Sequence, residues 1–195
     1  MTDVSIRAES GRIGVYLALP EGTGPWPGVV VVHDVLGMSQ DLRNQADWLA
    51  SEGFLAVAPD LFHGRSPVAC MISIMRQVRA GQGRCFNDVD AVRSWLLARD
   101  DCTDKVGVIG FCMGGGLALI VAPNHGFDAS SVNYGTAPKD AYTADFLRHS
   151  CPIVGSFGAQ DRGVPAGAAA RLEGARTEAD IDHDVKEYPT PDMPS

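Results

Sequence analysis

Two periodicities alternate along this chain, and the switches between them mark out its elements. Unbroken apolar runs at Gly28–His33, Leu55–Pro59 and Lys105–Gly110 are short, rich in valine and leucine, and end in turn signals. That pattern predicts strands buried on both faces of a parallel sheet. Ile153–Ser156, after Cys151-Pro152, reads as another strand, and Ala129–Tyr134 as a weaker one. His183–Tyr188 alternates polar and apolar residues, as an outer strand does. Between these runs the spacing turns helical. Asp41–Glu52 carries Leu42, Ala46 and Leu49 on one face, Phe86–Ala98 carries Val89, Val92, Trp95 and Leu96, and Pro165–Glu178 is alanine-rich. Strands alternating with helices predict an α/β fold, a mostly parallel sheet with helices on both faces. Right-handed crossovers gather the functional loops at the C-terminal strand ends, where Asp34, Asp60, Cys112 and the loop holding Asp161 fall.

The stretch Val106–Val121 combines a strand, a glycine-rich turn and an apolar helix. Its turn has the pattern Gly-x-nucleophile-x-Gly, with Cys112 at the centre and Gly110 and Gly114 flanking it. In such an elbow the nucleophile is forced into a strained conformation that projects its side chain above the sheet. A Cβ at either flanking position would meet the neighbouring strand or helix. The thiol also sits at a helix N-terminus, where the macrodipole favours a thiolate. Nucleophilic catalysis by Cys112 is the expected chemistry.

Composition narrows the context. A chain of 195 residues is expected to form one domain, 1–195. A net charge of −8 argues against nucleic acid or an anionic membrane as partner, though a small anionic substrate held by a local arginine remains compatible. The N-terminus shows no basic start followed by an apolar run, so no secretory signal is expected. The apolar stretch Val106–Ala122 is broken by five glycines, which suits strand-turn-helix better than a membrane span. Five cysteines without a CxxC pair argue against zinc and against a disulfide framework, and point to a reducing cytoplasm. No Gly-x-Gly-x-x-Gly nucleotide fingerprint is present, so neither cofactor nor metal is expected.

The chain resembles the dienelactone hydrolase family, the cysteine branch of the α/β-hydrolase fold. Four segments carry the resemblance: Val29-Val-Val-Val-His-Asp-Val-Leu-Gly37, Gly53-Phe-Leu-Ala-Val-Ala-Pro-Asp-Leu61, Val106-Gly-Val-Ile-Gly-Phe-Cys-Met-Gly-Gly115 and Gly155-Ser-Phe-Gly-Ala-Gln-Asp161. It implies hydrolysis of a small lactone or ester through a thiol-ester intermediate. By the same resemblance Cys112 is the nucleophile and Asp161 the acid that orients a histidine. The backbone N–H groups of Met113 and Val35 would form the oxyanion hole. The family commonly has a glutamate where this chain has Asp34. A contact from this shorter side chain to Cys112 and a turn-capping role both stay open. His33, just before the oxyanion-hole position, is expected to pack beneath the site rather than act as base. Tyr134, at a strand end, is a candidate pocket residue. An arginine of the segment Arg76–Arg84 would hold a substrate carboxylate, without the sequence singling one out.

The triad histidine has no counterpart. The family pattern after the last strand is Tyr-Pro, then Gly-His and a final helix, whereas this chain reads Glu187-Tyr-Pro-Thr-Pro-Asp-Met-Pro-Ser195. His183 lies at the start of the last predicted strand, about 15 Å from the catalytic end at ~3.3 Å per residue. His125 and His149 also fall at the wrong ends. Codons for Thr-Ala-Gly-His-Ala-Phe that lose one base read Thr-Pro-Asp-Met-Pro-Ser, the sequence of Thr190–Ser195. The expectation is therefore a C-terminally truncated family member, lacking the final helix and with activity in doubt. Its open sheet face would favour self-association. A non-catalytic binding protein of the same fold is the alternative.

Overall fold

The valine-rich runs form the middle of one sheet. A computed structural model describes residues 2–9, 11–65, 67–159, 164 and 167–189. It opens with a hairpin of β1 (Thr2–Ala8) and β2 (Gly11–Ala18). Then come β3 (Trp26–Val32), α1 (Gln40–Ser51), β4 (Leu55–Pro59), α2 (Pro67–Ala80), α3 (Arg84–Leu97), β5 (Cys102–Phe111) and α4 (Met113–Val121). After β6 (Ala129–Asn133) and a 3-10 turn at Lys139–Tyr142 follow α5 (Ala144–Leu147), β7 (Ile153–Gly158), α6 (Ala168–Glu178) and β8 (His183–Tyr188).

The strand order is β1-β2-β4-β3-β5-β6-β7-β8. Every pairing from β4 across to β8 is parallel, while β2 runs antiparallel to β4 and β1 to β2. The strands expected from the sequence are all present, and β8 is an edge. The hairpin β1–β2 is an addition. Ile6 is the one buried residue of β1, so its apolar signal was too thin to announce a strand. The α2 helix is a second addition, formed where the sequence singled out only the arginines of Arg76–Arg84. The start of the predicted helix Pro165–Glu178 lies outside the described residues, and α6 runs from Ala168.

The helices are divided unequally between the two faces. Val30, Val32, Leu55, Val57, Val106, Val108 and Val132 pack beneath α2, α3, α4 and α6, through residues such as Ile74, Val89, Leu117 and Leu172. On the other face α1 places Leu42, Ala46, Leu49 and Ala50 over Tyr16, Val29, Val31, Ala56 and Ala58. Ser39 caps α1 by accepting from the Leu42 N–H at 3.2 Å, which fixes where that helix starts. Beyond β5 this second face has no further helix among the described residues, and Val154 stands 50% exposed.

Candidate active site

The elbow follows from close backbone approach. Cys112 adopts φ 53 and ψ −113 between β5 and α4, a left-handed conformation that costs a non-glycine residue of order 1–3 kcal/mol. A Cβ on Gly110 would strike the Gly114 carbonyl, and one on Gly114 would lie 2.5 Å from the Val32 oxygen and 2.6 Å from that of His33. Glycine at both positions lets the turn press against β3. The Cys112 backbone is tied down on both sides: its N–H donates to Asn133 O at 3.0 Å, and its carbonyl accepts from Gly116 and Thr136.

Cys112 lines a cavity of 310 Å³ together with Met113, Val35 from the loop after β3, Met75, Val78 and Arg79 from α2, and Thr136–Lys139. The size is at the low end for small-molecule pockets, and the walls are mainly apolar. Arg79 and Lys139 bring two cations from different elements, and no carboxylate lines this cavity among the described residues. Arg79 thus emerges from the segment Arg76–Arg84, whereas Lys139 carried no signal in the sequence. The wall that bears Lys139 is held from below by the buried Tyr142, whose hydroxyl donates to Gly135 O at 2.8 Å. Burial pushes that phenol up to about 12.

The remaining candidates lie around this cavity in different ways. Asp34 accepts from the Leu36 N–H at 2.7 Å, which is the turn-capping arrangement, and it does not line the cavity. The Tyr134 ring lies 6.4 Å from that of Phe111 and likewise stays out of the lining. Asp161 lies outside the described residues, as does Thr190–Ser195. His33 is fully buried. Its Nδ1 bonds Asp34 O at 2.6 Å and its Nε2 accepts from the Leu61 N–H at 3.2 Å, so the proton sits on Nδ1. Burial depresses its pKa despite the opposing pull of Asp34 and Asp60, leaving a neutral ring with both nitrogens engaged.

None of the other histidines lines the Cys112 cavity. His183 starts β8, level with Ile153 at the start of β7, at the sheet end opposite the elbow. His125 pairs with Asp90 at 2.8 Å, and His149 is exposed. His63, which the sequence reading passed over, bonds Asp88 at 2.7 Å and lines a different cavity.

The dienelactone hydrolase family model matches residues 13–192. A protein of Azospirillum brasilense, provisionally named a carboxymethylenebutenolidase, is 30% identical over 186 residues, spanning 88% of this chain and 78% of its own. The carboxymethylenebutenolidase of Pseudomonas putida is 27% identical over 173 residues, spanning 84% and 72%. A Klebsiella pneumoniae crystal structure, provisionally assigned as a dienelactone hydrolase, superposes with a TM-score of 0.80 at 25% identity, covering 98% of this chain and 85% of that one. With a family match running nearly end to end and the same fold in a solved relative, the chain belongs to the dienelactone hydrolase family, hydrolases of the α/β-hydrolase fold.

Proposed function

We propose that Cys112 opens small lactones or esters by forming a thiol ester. The observation that carries this reading is the strained Cys112 backbone at the head of α4, on the wall of a cavity that Met113 and Val35 share. The thiolate attacks the carbonyl carbon, and the Met113 and Val35 N–H groups hold the oxygen that becomes negative. Collapse breaks the carbon–oxygen bond of the ester, and the alcohol leaves with the thiol's proton. Water then attacks the thiol ester, which releases the acid and restores the thiol. A butenolide bearing a carboxymethylene group, the substrate in the relatives' names, is a lactone with a carboxylate. Arg79 and Lys139 supply the matching charge in this cavity.

Asp161 is assigned the orienting acid, and no described histidine lines the Cys112 cavity. Acylation survives that lack better than hydrolysis of the thiol ester, because a thiol is intrinsically nucleophilic whereas deacylation needs an activated water. With no histidine at the thiol, Cys112 is expected to acylate and to turn over slowly. It works in a reducing compartment such as the cytoplasm, in keeping with five cysteines outside any disulfide. The open sheet face makes it prone to self-association.

Incubation with p-nitrophenyl acetate tests the reading. One acetyl group should appear on Cys112 and none on Cys112→Ala, with steady-state turnover lower than that of a family member with a histidine by a factor on the order of hundreds. The alternative, a non-catalytic binding protein, draws its support from the lack of any described histidine on the cavity wall. Ligand binding in this cavity without acylation would establish that alternative.

A further inference from the structure

The α2 helix separates two cavities. Met75, Val78 and Arg79 face the one that holds Cys112, whereas Cys70, Ser73, Ile74 and Gln77 face a second, of 250 Å³, closed by the loop after β4 and by α3. The two share no lining residue. We propose that the second cavity binds a small organic carboxylate, held by Arg84, Arg65 and His63.

Charge balance is the first argument. Asp88 is the one carboxylate among the lining residues, and it faces three basic side chains. His63 Nε2 lies 2.7 Å from Asp88 Oδ2, with the two side chains 9% and 1% exposed. Arg84 Nε stands 3.5 Å from the same oxygen, and Arg65 completes the basic wall. The lining thus carries a surplus of one positive charge with His63 neutral and of two with it protonated. Arg65 is exposed and Arg84 is 33% exposed, so an anion entering from solvent meets guanidinium groups that the buried Asp88 does not fully neutralise.

A poorly satisfied donor is the second argument. Arg84 Nε is buried and has the 3.5 Å ion pair with Asp88 but no hydrogen bond, although a guanidinium N–H is among the strongest donors a protein has. The other polar groups nearby are occupied. Gln77 accepts from the Cys85 N–H at 2.9 Å and donates to Ser73, while the Cys70 thiol points to Phe62 O at 3.6 Å. Asp60 is consumed by the turn, since its carboxylate accepts from the Phe62 and Gly64 N–H groups at 3.0 and 2.8 Å. That turn holds His63 at φ 53. A metal is not the occupant these residues suit, because no three His, Cys, Asp or Glu among the described residues converge to hold one.

The rest of the lining selects the ligand's body. Leu61, Phe62 and Ile74 add buried apolar surface to the same lining. A carboxylate on a compact apolar group fits both halves, whereas inorganic phosphate would leave the apolar half unused. The cavity is smaller than the ~300–1,000 Å³ of most ligand pockets, which suits a molecule about the size of benzoate.

Titration calorimetry of the whole chain with benzoate, benzamide and inorganic phosphate tests the assignment. With Arg79→Met and Lys139→Met removing the carboxylate partners of the Cys112 cavity, benzoate should bind at one site, benzamide should not bind, and phosphate should bind at least about tenfold more weakly. Arg84→Met should weaken benzoate roughly tenfold or more, the scale of one charge-assisted hydrogen bond. A double change, Arg79→Met with Lys139→Met, should leave benzoate binding intact, because those residues belong to the other cavity. Should Arg84→Met fail to fold, the His63 imidazole NMR signal of the unaltered protein, assigned with His63→Gln, should still shift on benzoate titration. Failure of benzoate to bind or to move His63 overturns the proposal. So does benzoate binding that survives Arg84→Met or disappears with the Arg79/Lys139 change, or phosphate binding as tight as benzoate's. Each of these outcomes leaves the reading of Cys112 untouched.

Discussion

The two faces of the sheet differ in what covers them, and the difference explains which parts of the chain can tolerate change. On one face, α2, α3, α4 and α6 cover Val30, Val57, Val106 and Val132, and the elbow and both α2 cavities depend on that packing. On the other, α1 covers the strands from β2 to β3, and the surface beyond holds Gly107, Ile109, Ser131 and Val154 around a shallow groove. The geometry of the elbow therefore rests on the dense face. The open face is the one proposed to associate.

The largest contrast should come from truncating a side chain on the dense face. Leu117 on α4 is almost fully buried, and Leu117→Ala leaves a hole directly behind the elbow. A loss of about 2–5 kcal/mol in urea unfolding is expected. A loss below about 1 kcal/mol would mean that α4 is not packed as described. Gly114→Ala should come next, at about 3 kcal/mol, because its methyl would push into the backbone oxygens of Val32 and His33. It should also abolish acylation by p-nitrophenyl acetate, since relieving that clash moves Cys112 relative to Val35. Retained acylation would dissociate the elbow from its contact with β3.

How much of this contrast was legible in the sequence depends on the strand. In β3 an unbroken valine run announces burial on both sides, and both sides are buried, one under α1 and one under α4. In β6 and β7 the residues alternate, with Val132, Ile153 and Phe157 on the dense face and Ser131, Val154 and Ser156 on the open one. That alternation made Ala129–Tyr134 a weak candidate, yet it is a faithful record of a half-covered strand. Cys112 was legible because an elbow needs small residues at fixed offsets. His63 was not: a lone loop histidine has no period, and its partner Asp88 sits 25 positions away on another element. The wall at Thr136–Lys139 was missed for a similar reason, since only the approach of Gly135 to Gly115 and Gly116 brings it to the thiol.

Titration sharpens the comparison further. His33 is buried and neutral, with a pKa below its unfolded value of ~6.5. The unfolded chain therefore binds the proton more readily, and stability rises with pH through this window. Its contribution is complete above about pH 6.5 and declines as pH falls from there toward the folded pKa. Melting temperatures measured from pH 7.5 down to 5 should fall, and His33→Gln should flatten part of that slope. The thiols sort in the same way. Burial raises Cys85 to about 12 and Cys151 to about 11, so both should react slowly with iodoacetamide at pH 8. Cys112, on a cavity wall at a helix N-terminus, should be carboxymethylated first. Faster labelling of Cys85 than of Cys112 would mean that the elbow thiol is not the accessible one.

The smallest effect on stability, and the one that isolates the open face, belongs to Val154. It stands half exposed on β7, points away from the dense core, and borders the groove that Val29, Ile109 and Ser131 also line. Val154→Ser removes exposed apolar surface without opening a cavity, so unfolding free energy should change by no more than about 0.5 kcal/mol. Acylation of Cys112 should be unaffected, because the change lies on the face opposite the helices that build the elbow. Self-association should respond strongly, since contiguous exposed apolar surface is what drives one copy onto another. Sedimentation velocity across a concentration series should therefore show the unaltered chain shifting to larger species while Val154→Ser stays closer to the monomer. If both sediment alike at every concentration, the open face is not the surface that associates. If Val154→Ser instead costs as much stability as Leu117→Ala, that face is covered in solution by something as closely packed as α4.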